Sequence, residues 1–387
     1  MQSLKKICVV TGSRAEYGHL FWLMHEIKSD STLVLQLVVT GMHLEPHFGL
    51  TYREILKDGF KIAAKIPMNL SSDADVAITK SVGLAIRGFG RTFQRLKPDI
   101  VILLGDRFEI LAASMAATLS RIPIAHLNGG ELTEGSYDDR FRHAITKMAQ
   151  WHFVSHEEYR RRVIQMGEDP RRVFNCGALV LDNLQRLTLL GKNQLEKDLR
   201  ITIDQKTTLV TYHPATLEKG STKEQIKNLF DAFRESGLKI IFTMPNADPE
   251  NRIIAQAIRS FEKTYPLDVK VFVSLGQRRY LSLLRYIGLM IGNSSSGLIE
   301  AASFRLPVVN IGNRQKGRVR PKNVIDVDND AKSIRSAIHK ACSVRFRKSL
   351  SHLKNPFGDG RASPRIKNIL KKYCLDGSIK KHFYDLK

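Results

Sequence analysis

The chain has 387 residues, 43% of them hydrophobic, and a formal net charge of +23 at pH 7. This length predicts two domains, and the hydrophobic content suffices for an ordinary buried core in each. The four cysteines are widely spaced without a Cys-x-x-Cys pair, which favours a reducing cytoplasm and argues against a cysteine-ligated zinc site. No apolar run of about 18 residues is present, and Met1–Lys6 leads directly into a strand-like run, so neither a membrane span nor a signal peptide is expected.

The positive charge is spread along the chain, with local excesses at Arg345–Lys354 and Arg361–Lys372. Nucleic-acid binding would fit such a charge, but no aromatic-rich RNA-binding motif accompanies it. We therefore interpret it as a basic surface that serves solubility or attracts anionic substrates, and we expect neither a nucleic acid nor a membrane as partner.

In the first half of the chain, short runs rich in Val and Ile alternate with longer amphipathic stretches. The predicted strands are Lys6–Val10, Leu33–Val39, Ile100–Leu104, Ile122–Leu127, Trp151–Val154 and Val173–Cys176. The predicted helices include Tyr17–Ile27, Val76–Leu96, Phe108–Leu119 and Glu157–Met166. Because the strand runs are continuously apolar rather than alternating, both faces of the sheet should be buried, as in a parallel sheet covered by helices.

The pattern pauses at Gly177–Asp204, which is polar and helical, and then restarts. The second set of predicted strands is Thr208–Thr211, Lys239–Phe242, Val269–Val273, Leu289–Ile291 and Pro307–Ile311. The helices between them are Lys223–Glu235, Pro249–Thr264, Arg278–Tyr286 and Gly297–Phe304. Two α/β units of similar design predict two doubly wound domains, at residues 1–180 and 181–360, followed by a basic helical tail at 361–387.

Polar loops follow the first-half strands, at the edge where α/β proteins bind ligands. Thr11–Gly18 is either a phosphate-binding loop, in which Arg14 contacts the phosphate, or a plain turn in which Arg14 forms a structural ion pair. The segment Gly105–Arg107 comes directly after Ile100–Leu104. Its carboxylate, Asp106, is a candidate general base because a strand-end crevice partly desolvates it, and the alternative is an N-cap of the next helix.

The next strand ends in the segment His126–Glu131. Its two adjacent glycines would let a ligand approach the backbone, and Glu131 is a second candidate acid or base. Farther on, Asp138 begins a stretch in which acidic and basic residues are four apart on one helix. That stretch is either part of a site or a solvated, salt-bridged helix start.

Three segments of the second half carry candidate ligand-binding groups. Tyr212–Pro214 ends the first strand, and its His213 is either structural or catalytic. The segment Gly292–Gly297 offers hydroxyl and backbone N–H groups for a diphosphate, with Glu300 placed for ribose hydroxyls, unless a serine simply caps the helix. Asn313–Arg318 adds three cations, and no His/Cys/Asp grouping has metal-ligand spacing. Polar loops in both halves predict a phosphorylated ligand in a cleft between the domains.

Taken in order, these segments resemble the UDP-N-acetylglucosamine 2-epimerases. The matching motifs are Thr11–Gly18, Val39–His43, Gly105–Arg107, His126–Glu131, Asp138 with Arg142-His143, Gly292–Glu300 and Gly312–Arg318. The residues of these motifs are most similar to those of the hydrolysing branch, which supplies sialic and legionaminic acid synthesis. The match runs from the first strand to at least Val327. The resemblance implies the glycosyltransferase-B architecture, which has two Rossmann-like domains with the active site in the interdomain cleft, and it implies a homo-oligomer.

The resemblance also implies roles for individual residues. Asp106 and Asp138 match catalytic carboxylates, and His213 matches a catalytic or diphosphate-contacting histidine. Many members have a catalytic glutamate at Asn128, so Glu131, three residues later, is the candidate for that role; many also have a lysine at His19. The residues implied to bind UDP or substrate are Arg14, Arg107, Asn128, Ser294, Ser295, Ser296, Glu300, Arg314, Gln315 and Arg318.

The implied reaction hydrolyses a UDP-2-acetamido sugar, either UDP-N-acetylglucosamine or UDP-N,N′-diacetylbacillosamine, to UDP and the free manno-configured amino sugar. UDP leaves C1, and Asp106 or Glu131 removes the C2 proton to give a 2-acetamidoglycal. Water then adds while Asp138 or Glu131 manages the protons. Nothing is oxidised, so no cofactor is expected. The alternatives are a non-hydrolysing 2-epimerase, a glycosyltransferase of the same architecture, and a nucleotide- or RNA-binding protein without catalysis.

Overall fold

The computed structural model describes residues 4–70, 74–133, 138–213, 222–234, 236–244, 251–374 and 379–386. The chain divides into two compact units. The first contains the chain up to Glu131, the stretch that ends at Gln185 and the segment from Phe357 onward, and the second contains Arg186–Pro356. This division differs from the predicted one, 1–180, 181–360 and a separate tail, since the chain returns to the first unit at Phe357.

The strands are β1 (Lys5–Thr11), β2 (Leu33–Thr40), β3 (Ile62–Ile66), β4 (Ile100–Leu104), β5 (Ile124–Leu127), β6 (Trp151–Val154), β7 (Val173–Asn175), β8 (Thr207–Thr211), β9 (Lys239–Thr243), β10 (Val269–Phe272), β11 (Leu289–Gly292), β12 (Val308–Ile311) and β13 (Val324–Val327).

The helices are α1 (Arg14–Lys28), α2 (Tyr52–Lys57), α3 (Asp75–Leu96), α4 (Phe108–Leu119), α5 (Asp138–Met148), α6 (Glu157–Gln165), α7 (Asp182–Arg186), α8 (Lys192–Leu199), α9 (Thr222–Phe233), α10 (Asn251–Thr264), α11 (Gly276–Leu284), α12 (Ser295–Ile299), α13 (Ala331–Cys342), α14 (Val344–Ser349) and α15 (Ala362–Ile369). Short 3₁₀ turns lie at Gly41–Leu44, Pro46–Phe48, Pro170–Arg172, Leu179–Leu181 and Ala301–Phe304, and α15 continues as a π-helical turn, Leu370–Cys374.

Each unit is built on one parallel sheet with helices around it. The strand orders are β3-β2-β1-β4-β5-β6-β7 in the first unit and β10-β9-β8-β11-β12-β13 in the second, and the paired strands run parallel throughout. The prediction of two Rossmann-like, doubly wound α/β domains is confirmed. The order reverses between β1 and β4 and between β8 and β11, and ligands of such folds bind beside these switch points.

Alternate residues of the inner strands enter different cores, as their continuously apolar sequences predict. In β1, Ile7 and Val9 belong to one hydrophobic cluster, whereas Cys8 and Val10 belong to another on the opposite face. All four side chains are fully buried. The first sheet is therefore covered on both faces.

Two edge strands, β3 and β13, are absent from the prediction. Both are short and only partly buried, and each contains a charged residue, Lys65 or Asp326, that interrupts the apolar pattern. Edge strands often carry such residues because one side of the strand faces solvent. The remaining strands agree with the prediction to within one or two residues at each end.

The segment predicted as a separate basic tail belongs to the first unit. Ala362, Ile366 and Leu370 are four residues apart and enter the same core as β1. On the charged side, Lys367 lies 3.3 Å from a carboxylate oxygen of Glu26, which is on α1. The basic residues therefore flank an apolar stripe that packs on α1. This stripe was missed in the sequence because the many charged residues around it dominate the segment. Among the described helices, none combines the length and apolar composition needed to cross a lipid bilayer.

Candidate active site

Asp106 lies directly beyond β4, beside the switch point of the first sheet. Gly105 before it adopts φ +82°, which glycine tolerates without steric cost. The Gly105 carbonyl lies 2.9 Å from Nε2 of His126, and burial lowers the pKa of His126 to about 3, so a neutral imidazole supports this turn. The N-cap residue of α4 is Arg107, without a side-chain cap bond. The alternative in which Asp106 caps α4 is therefore wrong.

A buried arginine of α5, Arg142, holds the Asp106 carboxylate. Only 3% of the Arg142 side chain is exposed, against 23% for Asp106, and Nη2 of Arg142 donates to Oδ2 of Asp106. Nη1 donates to Oδ1 of Asp139 at 3.1 Å and to the carbonyl oxygen of Glu131 at 2.9 Å. Charge-assisted bonds of this kind orient a carboxylate. One guanidinium thus joins the loops after β4 and β5 to the start of α5.

Glu131 is buried in the same bonding network. Its Oε1 accepts a hydrogen bond from Oγ of Ser155 at 3.3 Å, and its backbone oxygen is the one held by Arg142. Ser155 follows β6 directly and is not among the predicted site residues. Arg142 therefore holds the Asp106 carboxylate and the Glu131 backbone, while the Glu131 carboxylate is bonded by Ser155. The roles of the two carboxylates as acid or base stay predictions.

The two glycines before Glu131 serve protein packing. A Cβ on Gly130 would overlap the backbone of Tyr159, and one on Gly129 would lie 3.0 Å from Oγ1 of Thr146. The space beside both residues is thus filled by α6 and α5, not open to a ligand as the sequence suggested. Their small size lets these helices approach the loop that carries Glu131.

Asn128 has a backbone conformation that explains its residue type. Its φ is +63°, in the left-handed region where asparagine is much commoner than other non-glycine residues. Its N–H donates to the Phe153 carbonyl at 2.9 Å. The turn out of β5 therefore favours asparagine at this position.

The start of α5 carries further predicted groups. Asp138 is the first residue of the helix and is partly exposed. Oδ2 of Asp139 lies 3.4 Å from Nε2 of His143, four residues later on α5, and burial lowers the pKa of His143. The negative charge of Asp138 helps to raise the pKa of Arg107, after the larger effect of Glu109. Asp138 thus lies within electrostatic range of the loop that holds Asp106.

Two predicted substrate-binding arginines of the first unit form ion pairs. Arg14 Nε lies 3.2 Å from Oε2 of Glu54, and both side chains are well exposed. Arg107 Nε lies 2.6 Å from Oε1 of the buried Glu109. The Arg14 pair is the structural alternative seen in the sequence; because it is exposed it is worth little energetically, and a ligand phosphate would displace Glu54 at small cost.

In the second unit, the side chain of Asn293 fastens His213 beside the switch point. Oδ1 of Asn293 accepts from the His213 N–H and Nδ2 donates to the His213 carbonyl, both at 2.8 Å. An amide side chain thereby extends the β8–β11 pairing by one residue. Gly292 before it has φ +137°, and a Cβ there would overlap Thr211. Pro214, the third residue of the predicted segment, lies outside the described residues.

His213 is buried and electrically neutral at physiological pH. Burial and, to a smaller degree, the positive charge of Arg314 lower the pKa of His213 to about 3. Arg314 and Gln315 both donate to the Asn293 carbonyl, at 3.1 and 2.8 Å. The loop after β12, which also contains the partly exposed Arg318, is thus tied to the loop after β11.

The serine-rich loop begins α12. Ser294 is its N-cap and accepts from the Ser296 N–H at 3.4 Å, so the capping role weighed from the sequence is present. Ser295 is the first helical residue. The hydroxyl of Ser296 donates to Oε2 of Glu300 and also contacts the hydroxyl of Tyr280, a residue that the sequence patterns did not single out.

Glu300 is buried beneath this loop. Burial raises the pKa of Glu300 to about 7, although the hydrogen bond from Ser296 acts in the opposite direction. A carboxyl group near half-protonation can donate or accept a hydrogen bond. Within the described part of the chain, no three His, Cys, Asp or Glu side chains are grouped as a metal ion would require.

The comparisons with known proteins agree with this arrangement. The sequence model of the family described as UDP-N-acetylglucosamine 2-epimerase matches residues 25–371. The chain belongs to this family. It is 43% identical to the GDP/UDP-N,N′-diacetylbacillosamine 2-epimerase (hydrolyzing) of Campylobacter jejuni, over 99% of this chain and 100% of that one. It is 37% identical to the UDP-N,N′-diacetylbacillosamine 2-epimerase (hydrolyzing) of Legionella pneumophila, over 97% and 98%.

The fold is also that of solved members. The structure of a UDP-GlcNAc 2-epimerase from Neisseria meningitidis bound to UDP-GlcNAc superposes with a TM-score of 0.82 at 19% identity, covering 95% of this chain and all of that one. Together with the two Rossmann-like sheets, this confirms the predicted glycosyltransferase-B type of fold. The family assignment made from the motifs is confirmed as well.

Many members of this epimerase family have a catalytic glutamate where this chain has Asn128, and substitutions at Asn128 and Glu131 test which residue takes that role. We expect Glu131→Gln to lower kcat about 10²–10⁴-fold, since a positioned acid or base contributes on this scale. Asn128→Gly should cost less than tenfold, because glycine keeps the positive φ and only one neutral hydrogen-bonding group is lost. Steady-state kinetics of the two variants decide the order. A critical Asn128 together with a dispensable Glu131 would show that Glu131 is structural.

Proposed function

We propose that this epimerase is of the hydrolysing type and acts on a UDP-2-acetamido sugar, giving UDP and the free manno-configured amino sugar for nonulosonic (sialic or legionaminic) acid synthesis. The observation that carries the proposal is the position of two carboxylates, Asp106 and Glu131, beside the sheet's switch point. One buried arginine holds the Asp106 carboxylate and the Glu131 backbone oxygen, and Ser155 donates to the Glu131 carboxylate. The names of the two relatives above support the hydrolysing branch.

The chemistry requires the leaving group to depart first. The C2 hydrogen is not acidic, because no carbonyl group adjoins C2. Departure of UDP from C1 builds positive charge beside C2 and makes that proton removable. Cationic and N–H groups around the diphosphate favour this departure. We assign that task to Ser294, Ser295, Arg314 and Arg14.

Carboxylates of the first unit manage the protons. Asp106 or Glu131 removes the C2 proton, and water then adds to the resulting 2-acetamidoglycal with the opposite configuration at C2. Asp138 or Glu131 handles the protons of this second step. Exclusion of bulk water until elimination is complete would prevent premature hydrolysis.

A neutral His213 fits the diphosphate side of the reaction. Because its pKa is about 3, the imidazole offers one N–H donor without competing with Arg314 as a cation. We propose that this N–H donates to a phosphate oxygen of UDP. Glu300, whose pKa is about 7, is the proposed acceptor for ribose hydroxyls.

The relatives' names favour UDP-N,N′-diacetylbacillosamine over UDP-N-acetylglucosamine as the substrate. Mass analysis of products from both sugars side by side tests the proposal. Free sugar and UDP support it; an epimerised UDP sugar indicates the non-hydrolysing reaction, and a glycosylated acceptor indicates a transferase.

A homo-oligomer and a cytoplasmic location stay predictions, and light scattering tests the first.

Arg314→Ala and Ser294→Ala are expected to weaken UDP binding. Loss of a charge-assisted bond to phosphate should reduce the affinity about tenfold or more for Arg314→Ala, and less for the neutral serine. Calorimetry with UDP alone measures this without catalysis. Arg259→Ala is the matched control, because Arg259 pairs with Glu262 on the same helix surface, where no ligand group is assigned. Unchanged affinity in both loop variants would refute the diphosphate assignment.

A further inference from the structure

Two glutamates of the first unit form a buried acidic pair to which the proposed reaction gives no role. Glu16 lies in the first turn of α1 and Glu109 in the first turn of α4, so both approach the switch point between β1 and β4. The side chain of Glu109 is fully buried and that of Glu16 is 9% exposed. Carboxylates are rarely buried to this extent unless they are paired.

The surrounding loops are shaped around this pair. A Cβ on Gly12 would lie 2.5 Å from Cγ of Glu109, and one on Gly41 would lie 3.5 Å from its Oε1. The Gly12 N–H donates to Oε2 of Glu16 at 2.7 Å. The sequence suggested a phosphate loop in this turn after β1. In the structure the Gly12 N–H is already bonded to Glu16, and the space beside Gly12 is filled by Glu109.

Only one cation serves the two carboxylates within the described residues. Nε of Arg107 lies 2.6 Å from Oε1 of Glu109 and 3.9 Å from Oε1 of Glu16. Two carboxylates and one guanidinium leave a net negative charge in a buried place. Oε1 of Glu16 and Oε2 of Glu109 are buried and accept no hydrogen bond from any residue that the structure describes. Two ionised groups would leave both oxygens unsatisfied at considerable cost.

The other groups that face the pair do not supply the missing positive charge. His43 lies in the 3₁₀ turn after β2, where its N–H donates to the Gly12 carbonyl. Burial lowers the pKa of His43 to about 4, so it is neutral. Met42 offers its sulfur to Arg107 at 3.7 Å. Asp138 of α5 adds a further negative charge that acts on Arg107.

We propose that Glu16 and Glu109 carry one proton between them, held mainly on Glu16, and that this proton keeps Arg107 bound to Glu109, so that both glutamates are positioning residues for the loop of Asp106. The Glu109 oxygen is the closer one to the guanidinium, so the proton is placed on the more distant Glu16. Protonation of Glu16 cancels the buried net charge. In agreement, burial and then the charge of Glu109 raise the pKa of Glu16 to about 8.

This arrangement predicts an alkaline limit to turnover. Near pH 8 the proton leaves to solvent, Glu16 becomes an anion, and Arg107 is attracted to two carboxylates instead of one. Arg107 adjoins Asp106 in the chain, so its displacement disturbs the catalytic loop. Glutamine at position 16 mimics the protonated carboxyl group at every pH, and no such limit should remain. Glutamine at position 109 removes the anion that anchors Arg107.

The test compares pH profiles of kcat for the wild type, Glu16→Gln and Glu109→Gln, each as the full chain. Because kcat is measured with a UDP sugar, this part of the test rests on the proposed function. The wild type should lose activity with an apparent pKa near 8. Glu16→Gln should stay within about threefold of wild type at neutral pH and lack this limb, whereas Glu109→Gln should lose kcat about tenfold to a hundredfold at all pH values. Glu157→Gln, an exposed helix glutamate that pairs with Arg160, is the matched control and should keep the wild-type profile.

Infrared difference spectra provide a readout that does not depend on turnover. A protonated Glu16 gives a C=O stretching band that should disappear from the wild type as the pH rises through about 8. This component should be missing from Glu16→Gln, whereas the band of Glu300, which disappears near pH 7, should remain in both proteins. An unchanged alkaline limb or an unchanged band in Glu16→Gln overturns the proposal. If the wild type binds UDP sugars but turns none over, the proposed function fails, while the infrared band still decides whether the pair holds a proton.

Discussion

Asp106→Asn is expected to retain UDP binding and to lose turnover about 10²–10⁴-fold, the scale of a positioned general base. Asparagine is nearly isosteric with aspartate and keeps an oxygen for Nη2 of Arg142, but an amide cannot accept the C2 proton. Asp106 is not among the proposed diphosphate contacts, which are Arg14 of the first unit and groups of the second unit, so the affinity for UDP should not change. Calorimetry with UDP and product analysis with the UDP sugar measure the two effects separately.

Asp99→Asn is the control for this substitution. Asp99 is a partly exposed aspartate just before β4 that contacts Lys5 and the Lys6 N–H, away from the carboxyl end of the strand where Asp106 lies. It should keep wild-type kinetics. A kcat of Asp106→Asn near that of wild type would remove Asp106 from the mechanism and leave Glu131 as the base. A large loss of UDP affinity in Asp106→Asn would instead show that the loop after β4 contributes to nucleotide binding.

The inner strands could be predicted from the sequence because parallel strands buried on both faces are continuously apolar. β4 and β6 have the predicted bounds, and the polar residues that follow β4, β5 and β11 were found by their position alone. The edge strands β3 and β13 could not be found in this way, since partial exposure permits charged residues within them.

Only part of the candidate site could be predicted from the sequence. Single residues at strand ends, such as Asp106 and Ser294, were identified because the chain order places them there. Their partners were not, because a contact such as Arg142 with Asp106 spans 36 positions and depends on how α5 packs against the sheet. The four-residue spacing around Arg142 fitted a solvated helix start as well as a site, and only the burial of Arg142 shows that its guanidinium faces inward.

Glycine and asparagine positions carried information that the sequence alone left ambiguous. Gly12 was compatible with a phosphate loop, and the structure shows that Glu109 fills the space where a side chain would stand. Asn128 was a departure from the family pattern, and its φ of +63° supplies a backbone reason for that residue. Both ambiguities concern what lies next to the backbone, which composition and spacing do not encode.

Arg142 is expected to be as important as the carboxylate that it holds. Arg142→Met should lower kcat about 10³-fold or more, because Asp106, Asp139 and the Glu131 carbonyl all lose their common donor. Removing one partner of a buried ion pair also costs on the order of 3–5 kcal/mol of stability. Arg142→Lys keeps the charge but lacks the planar fork, so it should recover stability more than activity. Thermal unfolding and steady-state kinetics separate these two effects.

The double variant Asp106→Asn/Arg142→Met shows whether the arginine acts through the carboxylate. If Arg142 serves mainly to orient Asp106, the double variant should be little slower than the slower single variant, since groups that act as a unit are far from additive. Arg140→Gln on the exposed side of α5 is the control and should leave both kcat and stability unchanged. Additive losses in the double variant would mean that Arg142 contributes independently, through Glu131 or through the substrate itself, and that Asp106 keeps its geometry without it.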